Sequence, residues 1–147
     1  MDKPKSVGII GGGQLGMMLL EAAKNEANEV KYTTLEASED CPARPLTDHF
    51  ILGSLKDADA IKKLSEVSDV MTWEIEHIDV KTLISLEDQG QSIIPKPSVL
   101  EIIGDKGTQK KFYESNNVPT APFKLIGKDN LEGLKELRGE RVVVKSR

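Results

Sequence analysis

Two hydrophobic periods take turns along the first two thirds of this chain of 147 residues. Short apolar runs alternate with stretches whose apolar positions recur three and four residues apart. Val7–Ile10 reads as a strand, and Met17-Met18-Leu19-Leu20-Glu21-Ala22-Ala23 as the body of a helix. Glu29 to Leu35 makes a second strand ending at Glu36. The stretch from Ala37 to Asp48 carries Cys41-Pro42 and Arg44-Pro45. Prolines so placed forbid regular pairing, so it is a loop. Phe50-Ile51-Leu52 is a third strand, and Ser54-x-x-Asp57 predicts a capping box for a helix with Ala58, Ile61, Leu64 and Val67 on one side. Val70–Trp73 is a fourth strand. A helix from about Val80 to Asp88, ended by Gly90, precedes a fifth strand at Ser92-Ile93-Ile94. The alternation predicts an α/β fold with a doubly wound parallel sheet. Right-handed crossovers then bring the carboxyl ends of the first and fourth strands to one edge.

Pro95-Lys96-Pro97 divides the pattern into a Rossmann-like part, residues 1–97, and a second part, residues 98–147. In the second, Ser98-x-x-Glu101 opens a short helix with Val99, Ile102 and Ile103, and another helix runs from near Asp105 to Asn116-Asn117. Ala121 to Ile126 reads as a strand, Leu131 to Leu137 as a helix, and Arg141 to Lys145 as a strand. An apolar strand with no following turn leaves an exposed edge. So few elements bury too little to stand alone. The expectation is a fragment cut just inside its second domain.

Composition narrows the function classes. A hydrophobic share of 38% and a charged share of 30% describe an ordinary soluble protein. A net charge of −4 argues against nucleic acid or an anionic membrane as partner. Lys62-Lys63 and Lys110-Lys111 are isolated pairs suited to solvated faces. Cys41 is the single cysteine, so an intrachain disulfide and a cysteine zinc cluster are ruled out. His49 and His77 lack metal-ligand spacing, and no metal site is expected. The start of the chain lacks the features of a secretion signal, and no apolar run reaches membrane-spanning length. A cytoplasmic location follows by default.

Candidate chemistry begins at Gly11-Gly12-Gly13-Gln14-Leu15-Gly16, whose spacing is G-x-G-x-x-G. Such a turn lets a phosphate approach the unpaired N–H groups of a helix start. Two readings stay open for it alone: a nicotinamide-dependent enzyme with Glu36 as its ribose acid, or a purely structural turn. Thr72-Trp73-Glu74-Ile75-Glu76-His77 adds a second feature, because alternation sends Glu74 and Glu76 to one side of a strand end. Carboxylates at this edge accept hydrogen bonds from ribose hydroxyls; solvated loop acids are the plain alternative. Trp73 suits packing and His77 hydrogen bonding. Further on, Asp105 is a natural cap for a helix on which Lys106, Gln109 and Lys110 share a face. Lys106 suits either a nucleotide phosphate or the solvent. Lys145 ends a strand that reads as buried, where it either snorkels or holds an anion; the anion is favoured.

Several stretches in order carry a resemblance. They are Ile9–Met18 (I-I-G-G-G-Q-L-G-M-M), Cys41-Pro42-Ala43, Asp69–His77 (D-V-M-T-W-E-I-E-H), Asp105–Phe112 (D-K-G-T-Q-K-K-F), Val118–Phe123 (V-P-T-A-P-F) and Val143–Arg147 (V-V-K-S-R). Together they resemble the 5-(carboxyamino)imidazole ribonucleotide synthetase family of the ATP-grasp superfamily, and T-x-E-I-E-H is also similar to the fungal bifunctional carboxylases. The resemblance implies a ligase of purine biosynthesis that phosphorylates bicarbonate with ATP and carboxylates the amine of 5-aminoimidazole ribonucleotide. It implies ATP and Mg2+ as cofactors and leaves a homodimer open.

Carried over residue by residue, Gly13, Gln14, Leu15, Glu74 and Glu76 meet the ribonucleotide, while Lys106 and Lys145 meet ATP. Met17 stands where relatives commonly have Arg, and Gly104 where they commonly have Gln. The family's glycine-rich loop and magnesium carboxylates have no counterpart here. No catalytic residue or metal ligand is therefore expected in this stretch, and the polypeptide by itself is expected not to turn over. A nicotinamide-dependent oxidoreductase domain and a non-catalytic binding module are the competing readings.

Overall fold

Five strands lie parallel in one sheet: β1 (Ser6–Ile10), β2 (Lys31–Glu36), β3 (His49–Leu52), β4 (Val70–Trp73) and β5 (Ser92–Ile93). Their spatial order is β3-β2-β1-β4-β5. The computed structural model describes residues 5–26, 29–127, 133, 138–139 and 141–145. The chain forms two compact units, Met1–Leu100 and Glu101–Arg147.

In the first unit the chain leaves β1 for β2 and β3, then returns to the other side of β1 for β4 and β5. Ile10 is in register with both Leu35 and Trp73. The end of β1 therefore lies between the ends of β2 and β4, where the winding direction reverses. Open sheets of this class form their ligand crevice at such a point. The doubly wound sheet expected from the periodicity is the sheet observed.

Alternation along β1 supplies both faces of the sheet. Val7 and Ile9 join Leu20 of α1 (Gln14–Glu26), with Tyr32, Cys41 and Ala43 in the same cluster. The proline-bearing loop thus contributes to the core as well as connecting strands. On the opposite face Gly8 lies against Leu64 and Ser68 at the end of α2 (Ala58–Glu66). Ala60, Ile61 and Leu64 of α2 are buried, as are Leu83 and Leu86 of α3 (Val80–Asp88). Each such leucine or isoleucine contributes roughly 1.5–3 kcal/mol by leaving water.

The helix start at α2 differs from the sequence expectation. Its cap is Asp57, whose carboxylate accepts the Asp59 N–H at 2.9 Å, while Ser54 accepts the Lys56 N–H in the turn before. A carboxylate one residue from the first turn meets its open donors without the extra reach that Ser54 would need. Val67, expected on the apolar side, has left helical geometry at the C-cap and is 53% exposed. Asp79 caps α3 in the same way, accepting the Lys81 N–H, and Gly90 closes it at φ 98°. β5 stops at Ile93, and Ile94 is 62% exposed.

Two further helices follow, α4 (Ser98–Ile103) and α5 (Lys106–Ser115). Asp105 caps α5 by accepting the Thr108 N–H at 2.6 Å. The strand expected at Ala121–Ile126 is not formed. Residues 118–123 instead run irregularly beside α5, where the Lys110 ammonium donates to Thr120 Oγ1 and to the Ala121 carbonyl and lies 5.6 Å from the Phe123 ring centroid. Arg141–Lys145 is likewise not a strand, and Val142, Val143 and Val144 are 49%, 83% and 78% exposed. Apolar alternation forms a strand only with a neighbouring ladder, and no described residue pairs with this segment. The helix expected near Leu131–Leu137 lies outside the described residues, Gly133 apart.

Candidate functional site

The turn after β1 is held on every side by backbone and side-chain contacts. Gly11 adopts φ 105°, a region open to glycine, and its N–H donates to the Leu35 carbonyl at 3.0 Å. A Cβ at this position would stand 2.7 Å from Glu74 Oε1 and 2.8 Å from Glu74 Cγ. Glycine therefore admits the Glu74 side chain onto the turn. The Glu74 N–H continues the β1–β4 ladder to the Ile10 carbonyl at 3.2 Å, which fixes where that side chain begins. Its Oε1 also lies 3.5 Å from where a Cβ of Gly13 would stand, and the Gly13 N–H favours its ionised form.

Gly12 is bound at both ends of its peptide links. Its N–H donates to Glu36 Oε2 at 2.8 Å, and its carbonyl accepts the Ala43 N–H at 3.0 Å. Cys41 Sγ closes the remaining side, 2.8 Å from where a Cβ would stand. Cys41-Pro42-Ala43 therefore packs onto the glycine turn, a role that no spacing rule in the sequence reveals. Glu36 is turned toward backbone as well. In the nicotinamide reading its carboxylate meets a ribose, yet its two oxygens accept the Gly12 and Ala37 N–H groups, the latter at 2.6 Å.

The donors left open are those of the helix start. The first bond of α1 runs from the Met17 N–H to the Gly13 carbonyl at 3.0 Å. The N–H groups of Gln14, Leu15 and Gly16 precede it and have no intrahelical partner. Gln14 and Leu15 are exposed, Leu15 by 62%. Open N–H groups and the positive end of the helix dipole thus lie beside the Glu74 carboxylate. Gly13, Gln14, Leu15 and Glu74 are brought together as the sequence reading required.

Glu76 also lies close enough for its charge to act on Glu74, though strand alternation is not the cause. β4 ends at Trp73, and the backbone from 74 to 79 is irregular. Burial foremost, then the charges of Glu36 and Glu76, push the Glu74 carboxyl above its ordinary range, against the Gly13 N–H that favours ionisation. Trp73 Nε1 donates to the Pro95 carbonyl at 3.2 Å, and His77 is exposed. Met17 packs half-buried against the cluster around Ile9 and Leu20, which accounts for an apolar residue there. Gly104 is exposed, and nothing in the structure explains its identity.

The two lysines expected at ATP lie in the second unit. Lys106 is half-buried at the start of α5, with Nζ 3.4 Å from the Ile103 carbonyl it donates to. Lys145, expected on a buried strand, is exposed on unpaired backbone. Among the described residues no three His, Cys, Asp or Glu side chains gather to hold a metal ion.

Residues 4–104 match the family model described as the ribonucleotide synthetase preATP-grasp domain. The phosphoribosylaminoimidazole carboxylase of Vigna aconitifolia, a chloroplastic protein by its name, is 40% identical over 129 residues, covering 88% of this chain and 22% of that protein. The crystal structure of N5-carboxyaminoimidazole ribonucleotide synthetase from Thermotoga maritima superposes with a TM-score of 0.81 at 38% identity, covering 92% of this chain and 37% of the other. That of the Aspergillus clavatus synthase, in complex with ADP and 5-aminoimidazole ribonucleotide, gives 0.77 at 32% identity, with coverage of 92% and 36%. The chain thus spans well under half the length of the relatives it matches.

Proposed function

Because the chain belongs to the ribonucleotide synthetase preATP-grasp domain family, we propose that its glycine turn and Glu74 hold 5-aminoimidazole ribonucleotide for ATP-dependent carboxylation of the ribonucleotide's amine. One observation carries this reading: the Glu74 carboxylate rests on Gly11 and Gly13, beside the open N–H groups of Gln14 and Leu15, at the reversal point of the sheet. The two halves of the site suit opposite ends of one ligand. The open amides and the helix dipole favour the phosphate. The acids Glu74 and Glu76 repel it and accept hydrogen bonds from ribose hydroxyls. Gly13 sets the position of Glu74, and Glu76 adds a second acceptor. The Aspergillus clavatus structure, in complex with this ribonucleotide, lends the choice of ligand its support.

ATP supplies the phosphoryl group that activates bicarbonate, and the carboxyl group then passes to the exocyclic amine. In that chemistry this chain binds and orients the amine's carrier. Lys106 and Lys145 belong to the proposal as ATP contacts, by resemblance, as do magnesium on the ATP phosphates, a cytoplasmic setting, a homodimer, and division into a substrate domain (1–97) and the start of an ATP-grasp domain (98–147).

The test is a titration of the 147-residue chain followed by amide NMR. Adding 5-aminoimidazole ribonucleotide should shift Gln14, Leu15 and Glu74 saturably, and Glu74→Ala should weaken binding roughly 10–100-fold, the scale of hydrogen bonds to a charged group. NADH should leave these amides in place. Shifts caused by NADH and absent with the ribonucleotide would overturn the reading in favour of a nicotinamide enzyme.

A further inference from the structure

Glu36 stands at the end of β2, beside the site and outside it, with both carboxylate oxygens engaged by backbone. One accepts from Gly12, in the middle of the turn; the other accepts from Ala37, which begins the loop leading to Cys41 and Ala43. That loop returns to the same glycine, since the Ala43 N–H reaches the Gly12 carbonyl and Cys41 Sγ lies over its α-carbon. Gly12 is thereby clasped between a carboxylate and the loop that follows it. Its neighbours Gly11 and Gly13 both lie against Glu74.

We propose that Glu36 is a positioning residue: it locks the Gly11–Gly13 turn and the Cys41-Pro42-Ala43 loop into the geometry that presents Glu74 and the open amides of α1 to the ribonucleotide. The inference rests on the ribonucleotide reading for its ligand, while the clasp itself rests on the contacts around Gly12. Hydrogen bonds to an ionised acceptor are about twice as strong as neutral ones, so a carboxylate serves here better than an amide. An amide also brings only one acceptor oxygen to two N–H donors. The charge has a second effect at Glu74. That carboxyl faces Glu36 from the end of β2, Glu76 from the segment after β4, and the Gly13 N–H from the start of α1. Removing the Glu36 charge eases the ionisation of Glu74.

The experiment compares the 147-residue chain with Glu36→Gln and Glu36→Ala, using the Ile9 and Leu20 resonances to confirm that the core is intact. Amide exchange at Gly12 should accelerate about tenfold in Glu36→Ala, the loss of one such hydrogen bond, and less in Glu36→Gln, which keeps one acceptor. The Glu74 carboxyl, followed by carbon-13 NMR, should titrate at lower pH in both variants. Ribonucleotide affinity should fall about tenfold in Glu36→Ala. A purely structural acid would lower the unfolding midpoint and leave ribonucleotide affinity, measured well below that midpoint, unchanged. Unchanged Gly12 exchange in Glu36→Ala, or unchanged ribonucleotide affinity in Glu36→Ala where the unsubstituted chain binds the ribonucleotide, overturns the positioning role. Failure of that chain to bind, with both NMR changes present, counts against the ligand and leaves the clasp standing.

Discussion

Burial and the neighbouring acids Glu36 and Glu76 oppose the charge of Glu74, while the Gly13 N–H favours it. Its folded-state pKa is raised, so ionised Glu74 costs stability at neutral pH, and that cost fades as pH falls through the raised value toward the ordinary 4.5. Glu74→Gln should therefore unfold at a higher temperature than the parent at pH 7, with the difference shrinking toward pH 4. Thermal unfolding by circular dichroism at several pH values checks this, and a lower midpoint at pH 7 would count against it. Gly16 carries the opposite expectation. A Cβ there would stand 2.5 Å from the Gly11 carbonyl oxygen, a backbone atom with little room to move. Alanine gains about 1 kcal/mol of helix propensity, but the clash costs as much or more at about 1–3 kcal/mol. Gly16→Ala should lose up to about 2 kcal/mol in urea unfolding.

Each element of the first unit owes its legibility to a local cause. β1 and β4 are apolar runs at strand length, and α3 shows helical spacing closed by Gly90, so their bounds follow from periodicity and punctuation. The capping residue of α2 was legible only in part, because Ser54 and Asp57 are both good cap residues and the chain geometry selects Asp57. Asp57→Ala should destabilise the protein by about 1 kcal/mol, whereas Ser54→Ala should cost a few tenths; urea midpoints separate the two. The segments at 121–126 and 141–145 have the composition of strands, but composition cannot supply a pairing partner. Glu74 was legible as a candidate site acid because it follows an apolar strand end. The clasp by Glu36 and Cys41 was hidden, since it depends on a loop of a dozen or so residues folding back across the turn.

At the scale of the whole molecule, acids fasten segments that are distant in sequence. Asp48 accepts the Tyr32 N–H at 3.0 Å and pairs with Lys31 at 3.3 Å and Lys24 at 3.6 Å. It thereby joins β2, α1 and the entry to β3. The Tyr32 N–H foremost, with both lysines assisting, holds its carboxyl below the ordinary 3.8. Asp69 is held low in the same sense by the Lys5 and Ser6 backbone N–H groups and the Ser6 hydroxyl. A lowered acid stabilises fully above its unfolded pKa, and that contribution is lost as pH falls through the folded value. The chain should therefore lose stability below about pH 4. Asp48→Asn should be less stable at neutral pH and show a shallower acid limb, which unfolding midpoints between pH 2 and 7 measure.

Trp73 is the chain's single tryptophan, and it directly precedes Glu74 at the end of β4, its indole tied to Pro95. The chain's single indole fluorophore thus stands next to the proposed site acid. Its emission colour and quenching should change on ribonucleotide addition and again on unfolding of the sheet, giving both readings in one unlabelled optical signal.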